Sequence, residues 1–596
     1  MNKSDQHTFH IPVMGLGFTI DTPIKVARFG ISSVISIIED ELVEQMRKHH
    51  SQQTGEEYIA IKNDDEDHRA RRITAYLDLV NRIVNQQIEN LKSLPFEAGN
   101  DLVKYFELLP DDSPVKELYL KMLNENDVQA KIAYQKQLRE KIKPGSIDVN
   151  VMAKVDKVNY DKEGQALPLG FSDALSSFRG FANSELNSCV VLSAGYNPRL
   201  YSYIENFPDF FPDANGNLKK RIILKVSDYR SALIQGRLFA KKGLWISEYR
   251  IESGLNCGGH AFATDGLLMG PILEEFKNKK LEFSEELFVL CNNSLAGKDH
   301  KTFENKPELK VTVQGGIGTA NENKFLLEYY GVSSTGWGSP FLLVPEATNV
   351  DDQTLQELVS AKKDDYFMSH ASPLGIPFNN FRKSTSEIQR KMRVEKGRPG
   401  SPCYKKFLAF DTEFTTLPIC TASREYQNLK IKQLQEKNLP TDIYDQEFNA
   451  IIEKDCLCEG LGVTALINNH LPLDHKLNAV TICPGPNLAY FSNVFSLKQM
   501  VDHIYGRINI LNNLKRPNMF VNELSLYVDY LKNEIINNIH ITIENKNKQV
   551  TSFKNNLLNG IEYYKELAPK LIHETEEYLA QFKHELDSFE LILAAI

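Results

Sequence analysis

The stretch Asn256-Cys257-Gly258-Gly259-His260-Ala261 is the part of this chain best equipped for chemistry. A histidine titrates near neutral pH and can give or take a proton during a reaction. The two glycines before it let the backbone come close to something flat and large. Two further glycine clusters, Gly315-Gly316 and Gly336-Trp337-Gly338-Ser339, fall at the ends of predicted strands. Main-chain N–H groups with no side chain in front of them are suited to gripping a phosphate, and a following helix N-terminus adds favourable dipole charge. Three successive strands ending in glycine at one rim are how an α/β barrel makes a site for a phosphate-bearing cofactor. His260 is the candidate acid–base group; the other reading is a histidine that only hydrogen-bonds across its turn.

The elements that must position these residues alternate in type over the first 345 residues. Predicted strands cover 11–18 (IPVMGLGF), 33–38, 149–155, 189–193, 221–226, 244–252 (LWISEYRIE), 309–314 and 333–335. Predicted helices cover 172–183, 198–206, 229–241, 267–277 and 321–330, and Pro23 after Asp21-Thr22 marks the opening of another. Eight alternating strand–helix units predict a closed parallel (β/α)8 TIM barrel within residues 1–385.

About 100 polar, helix-like residues separate the second strand from the third, a helical insertion at about 40–146. Its Tyr76, Leu79, Val80, Ile83, Val84, Ile88 and Leu91 fall mostly three and four apart, an amphipathic stripe. The expectation is a helical subdomain above the barrel, acting as a lid, a partner surface or a plain structural addition. Residues 386–495 form a cysteine-containing extension and 496–596 a C-terminal helical region. In the latter, Phe553, Leu557, Ile561, Tyr564, Leu567, Leu571, Tyr578, Phe582, Leu586 and Phe589 mark one face of a long helix. Pro569 should kink or divide it.

The extension holds five of the eight cysteines. Cys403, Cys420, Cys458 and Cys483 sit beside or near turn-forming residues, where backbone N–H groups can point at sulfur. Four thiolates can hold an iron–sulfur cluster or a structural zinc. Their spacings match no standard ligand pattern, and buried, unligated thiols are the other reading.

A net charge of −9 and a pI of about 5.9 disfavour general nucleic-acid binding through a basic surface. No apolar run approaches the roughly 18 residues of a membrane span, and the N-terminal residues lack an apolar signal core. Eight cysteines in 596 residues without a signal read as reduced thiols or ligands, not a disulfide frame. These features predict a soluble, cytoplasmic protein.

The first 385 positions resemble the nitronate monooxygenases (the 2-nitropropane dioxygenase group) and the related flavin-dependent enoyl reductases of fatty-acid and polyketide synthesis. The family's Glu-Ala-Gly-Gly-His motif is similar to Asn256-Cys257-Gly258-Gly259-His260, and its strand-end Gly-Gly-Ile matches Gly315-Gly316-Ile317. Its Gly-Thr-Arg-Phe-Leu stretch followed by Pro-Glu-Ala resembles Gly338-Ser339-Pro340-Phe341-Leu342 with Pro345-Glu346-Ala347. The opening turn, Met14-Gly15 through Thr22-Pro23, and the closing segment 368–382 (MSHASPLGIPFNNFR) are similar as well. Asn256 replaces the family's acidic residue, Phe262 a small glycine and Pro340 an arginine, changes that bear on the substrate.

The resemblance implies an FMN-binding barrel. The phosphate would lie against the N–H groups of Gly315, Gly316, Gly338 and Ser339. Gly258 and Gly259 would let the ring approach the turn after the sixth strand, and Met14 and Gly15 would touch it from the first. Lys225 would face the ring, or else pair with a carboxylate. The implied activity is flavin redox chemistry on a small organic substrate such as a nitronate, with His260 as acid–base. Reduction of an enoyl thioester in a lipid or polyketide pathway is the alternative, with the helical regions docking a carrier protein or a second copy of the chain. A catalytically silent barrel scaffold is a reading of another class. No local GxGxxG dinucleotide fingerprint is present, although barrel flavoenzymes can use NAD(P)H without one.

Overall fold

The computed structural model describes residues 5–193, 195–257, 265–473, 475, 477–537 and 544–595. Eight parallel strands close into a barrel in chain order: β1 (Phe9–Ile11), β2 (Ser32–Ser36), β3 (Ile147–Val151), β4 (Ser188–Leu192), β5 (Lys220–Val226), β6 (Ile246–Glu252), β7 (Lys310–Gln314) and β8 (Ser334–Gly336). The ring closes between β1 and β8, where His10 pairs with Gly336. Helices follow most strands, which is the (β/α)8 TIM barrel that the alternation predicts.

Neighbouring strand residues face opposite sides of the wall. Ile35, Val149, Val190, Ile222, Leu224 and Ile251 join the main core between barrel and helices. Val34, Val191 and Ile223 form a separate small cluster with Val13. Polar groups share the same inward register. Arg250 Nε donates to Glu248 Oε1 at 2.8 Å, and the Thr312 hydroxyl donates to the same oxygen at 2.5 Å.

Two predicted elements shift. The first strand is Phe9–Ile11, earlier than the apolar run 11–18. Pro12 lacks an N–H for a ladder, and Gly15 takes φ +129°, outside the range of extended strands. Residues 12–18 therefore form the first rim loop. The helix expected at 267–277 runs as Met269–Ala296.

The insertion is helical, as expected, but it does not stand above the barrel. Its long helix, His68–Ser93, lies on the flank against the barrel helices Asp40–Thr54 and Asp173–Ala182. The whole predicted stripe from Tyr76 to Leu91 is buried there. Arg72 Nη1 bonds Asp40 Oδ2 at 2.8 Å, and Arg69 bridges Asp40 and Asp173, so paired charges fix that seam. Above the barrel, the mouth is instead covered by parts of the cysteine-containing extension and by the hairpin β9 (Tyr366–Ser369) and β10 (Phe378–Phe381).

The predicted long C-terminal helix is divided where Pro569 stands. Glu544–Leu567 and Glu576–Ala595 pack against each other, separated by the 3₁₀ turn Ala568–Lys570. Phe553, Leu557, Ile561 and Tyr564 are buried, and the first helix also packs on Met269–Ala296. No described helix is long and apolar enough to cross a membrane.

Candidate active site at the barrel mouth

The C-terminal ends of the strands open into one cavity. Its volume is about 90 Å³. Ser36, Asn150, Lys154, Ser193, Lys225 and Glu252 supply polar groups, each from the end of a strand or just beyond it. Phe378, Phe407, Leu408, Leu457 and Leu461, from the hairpin and the extension, form an apolar wall, and Gly15 and Leu16 of the first rim loop also line the cavity.

Glu252 is the hub of the polar side. Its Oε1 lies 3.2 Å from Lys225 Nζ and accepts from Asn256 Nδ2 at 2.9 Å and Gln314 Nε2 at 2.6 Å. Lys225 lines the cavity and is paired with a carboxylate, the second of its two readings. Burial, and then the neighbouring Lys225 charge, pull Lys154 below the usual lysine range. Asn150 donates to Ser36 Oγ at 3.3 Å, while its own buried Oδ1 has no partner among the described residues. A buried amide oxygen left without a donor is an attachment point for a ligand N–H or a water.

Sequence reasoning missed Ser36, Asn150 and Glu252 and the whole apolar wall. The signal for the first three was present: each continues the inward register of its strand, two residues after Val34, Asp148 and Arg250. The wall had no local signal, because its side chains come from residues 378–461, far along the chain from β6.

Gly315 and Gly316 take φ of +112° and +79°, a region open to glycine but strained for other residues. An added Cβ on Gly316 would stand 2.5 Å from Leu255 Cδ1, and one on Gly315 would stand 3.0 Å from Asn256 N. A Cβ on Gly338 would come within 3.2 Å of Cys257 Cβ. These glycines let the loop after β6 pack down on β7 and β8. Ser339 Oγ accepts from Gly485 N at 2.8 Å, so the Pro484-Gly485-Pro486 turn is seated on the same rim. Met14 is buried beside Gly338 and does not line the cavity.

At the start of the helix after β7, the N–H groups of Gly318, Thr319 and Glu322 are engaged within the chain. Glu322 Oε2 accepts from Gly318 N at 2.9 Å and Thr319 N at 3.2 Å, and Thr319 Oγ1 accepts from Glu322 N, a closed capping box. Arg516 Nη1 in turn donates to Glu322 Oε1 at 2.7 Å, and its Nη2 to Gly316 O at 2.7 Å. The dipole contribution expected at this helix is taken up by the chain's own carboxylate.

Gly258, Gly259 and His260 lie outside the described residues. The residues flanking them are held from both sides. Asn379 Nδ2 donates to Gly254 O at 3.0 Å and Asn256 O at 3.2 Å, and Tyr527 OH accepts from Gly254 N at 3.2 Å. Beyond the gap, Asn556 Nδ2 donates to Asp265 O at 2.8 Å, Glu523 Oε2 accepts from Met269 N at 2.8 Å, and Tyr564 OH accepts from Gly270 N at 3.1 Å. The C-terminal helices thus hold Gly254, Asp265, Met269 and Gly270. Burial pushes Glu523 up to about 7, against the opposing donors Met269 N–H, Ser253 and Tyr564.

Of the four cysteines expected to share a metal, Cys403, Cys420 and Cys458 lie near one another. Cys483 pairs with Cys257 beneath the rim, near Ser339. Cys403 is hydrogen-bonded to Cys420, and Cys458 to Cys456. Among the described residues no three His, Cys, Asp or Glu side chains are grouped to hold a metal ion. The pairings of Cys257 with Cys483 and of Cys403 with Cys420 join residues far apart in the sequence, whereas Cys456 and Cys458 are two residues apart.

No protein-family model and no curated protein matches the chain. Among solved structures it is similar to the enoyl reductase domain of MlnA from the macrolactin biosynthesis cluster of Bacillus amyloliquefaciens, at 15% identity over 68% of this chain and 87% of that one, with a TM-score of 0.33. It is also similar to a FabK variant from Thermotoga maritima, at 14% identity over 64% and 79% of the two chains and a TM-score of 0.28. The barrel itself is established by this chain's own strand pairing.

Proposed function

We propose that this chain is a flavin-dependent oxidoreductase that binds FMN in the barrel mouth. The observation that supports the reading is the cavity at the strand ends, lined by an apolar wall and by Asn150, Lys154, Lys225 and Glu252. The unpartnered Asn150 Oδ1 would serve a flavin ring as a handle for a ring N–H. When bound, FMN supplies hydride or single-electron transfer to the substrate.

The chain's own residues have separable tasks. Lys225 would place a cation near the ring, where it would favour negative charge, and Glu252 holds that lysine in place. Gly15 lines the cavity without a side chain. Gly315, Gly316, Gly338 and Ser339 are assigned to the phosphate through their N–H groups, beside the packed rim loop. His260 is assigned the proton that accompanies reduction or oxidation of the substrate.

Between the two substrates, the apolar wall of Phe378, Phe407, Leu408, Leu457 and Leu461 favours an enoyl thioester over a small nitronate, because an acyl chain buries apolar surface there. The test has two anaerobic arms: an enoyl thioester added to the photoreduced, FMN-loaded protein, and a nitronate added to the oxidised one. The enoyl thioester is expected to restore the oxidised spectrum, and the nitronate to leave the oxidised flavin unreduced. No reoxidation by the thioester, with oxygen still active, would remove the thioester reading.

A further inference from the structure

Cys403 and Cys420 are well separated in the chain yet side by side in the fold. The segments carrying them are stitched together: Ser401 N donates to Ala422 O at 2.9 Å, Arg424 N donates to Ser401 O at 3.0 Å, and Ser423 N closes a turn on Cys420 O at 2.8 Å. The two thiols are hydrogen-bonded to each other. Cys420 is 3% exposed, whereas Cys403 is half-buried and reachable. The Lys406 N–H and the Lys406 and Lys157 ammonium groups all favour a negative sulfur at Cys403.

The residues just after Cys403 reach the mouth. Lys405 Nζ is fixed to Glu39 Oε1 at 2.6 Å and faces Glu459 Oε2 at 3.7 Å. Phe407 and Leu408, a little further along, are part of the cavity's apolar wall. The thiol pair therefore stands at the root of that wall. The neighbouring Cys456–Cys458 pair abuts it, and Cys458 lines the cavity.

We propose that Cys403 and Cys420 are a reversible disulfide site, with Cys403 as the attacking sulfur, Cys420 as the resolving one and a low-molecular-weight disulfide as the oxidant. In the first step the Cys403 thiolate attacks one sulfur of the oxidant RSSR; a Cys403–S–S–R bond forms and RS⁻ leaves. Cys420 then gives its proton to solvent and attacks Cys403 Sγ, forming the Cys403–Cys420 bond and expelling the second RS⁻. Two protein thiols are oxidised, one RSSR is reduced, and the two protons released balance the two thiolates as RSH. Linking the two segments covalently fixes the root of the wall carrying Phe407 and Leu408.

The test uses the full chain and oxidised glutathione, followed by alkylation and peptide mapping. The expected result is one new linked peptide joining Cys403 to Cys420, with the loss of two hydrogens and two alkylatable thiols, reversed by dithiothreitol. Cys420→Ser is expected to retain glutathione on Cys403, and Cys403→Ser to leave Cys420 reduced. Both thiols remaining alkylatable after oxidation would overturn the proposal, as would a linkage made by Cys456 or Cys458 instead. So would zinc or iron retained on these sulfurs in protein purified anaerobically. If the serine variants do not fold, the map of the unmodified chain decides.

Discussion

Lys225 on β5 and Glu252 on β6 meet across adjacent strands, Nζ to Oε1 at 3.2 Å, in the wall of the barrel mouth. Removing one member of a buried pair leaves the other charge uncompensated, typically at a cost of about 3–5 kcal/mol. Lys225→Met is expected to destabilise the fold by about 3 kcal/mol, since Asn256 and Gln314 still donate to Glu252. The double variant Lys225→Met/Glu252→Gln should lose less than the sum of the two single changes. Urea denaturation of the three variants measures this coupling; strict additivity would mean that the two side chains do not depend on each other.

His260 carries the acid–base assignment. His260→Ala should leave FMN content unchanged while turnover falls by about 10²–10⁴-fold. Steady-state rates beside flavin absorbance separate the two effects. Turnover equal to that of the unmodified chain would return the histidine to a structural role.

The phosphate assignment needs a substitution that does not simply collide with protein. Gly316→Val would strike Leu255 whether or not an anion binds, so it distinguishes nothing. Ser339→Asp places a negative charge beside the assigned phosphate and should lower FMN affinity at least about tenfold, whereas Ser339→Ala loses the hydrogen bonds with Gly485 N and Cys257 without adding charge. Fluorescence titration with FMN reads both; equal affinity in the two variants would move the phosphate elsewhere.

Glu523 gives the stability of the loop anchor a pH dependence. Its carboxyl group is raised from the ordinary value of 4.5 to about 7, chiefly by burial, so the folded chain takes up a proton that the unfolded chain lacks near neutrality. This contribution is fully present below the ordinary value and is lost as pH rises through about 7, a change on the order of 3 kcal/mol. Glu523→Gln should flatten the profile. Urea midpoints compared across that window test it, and an unchanged slope in the glutamine variant would assign the dependence to other groups.

The barrel was legible because its signals are local. Runs such as Ile222–Ile223–Leu224 and the turns after them mark each strand without reference to the rest of the chain. Local reading failed where a long-range partner decides the outcome. The apolar run at 11–18 became a rim loop because Pro12 and Gly15 cannot sustain a ladder, and the insertion went to the flank because Arg69 and Arg72 find Asp40 and Asp173 there. The site was half legible. Lys225 on β5 and Gly15 in the first rim loop, both named from the sequence, line the cavity, while Leu457, Leu461 and the pairing of Cys403 with Cys420 depend on how a distant segment folds back over the mouth.

The most direct measurement is the visible spectrum of the purified, folded protein before and after incubation with FMN. Flavin held in the barrel mouth gives bands near about 370 and 450 nm that remain with the protein through gel filtration. A folded protein that stays colourless and leaves all added FMN in the small-molecule fraction would contradict the flavoenzyme assignment.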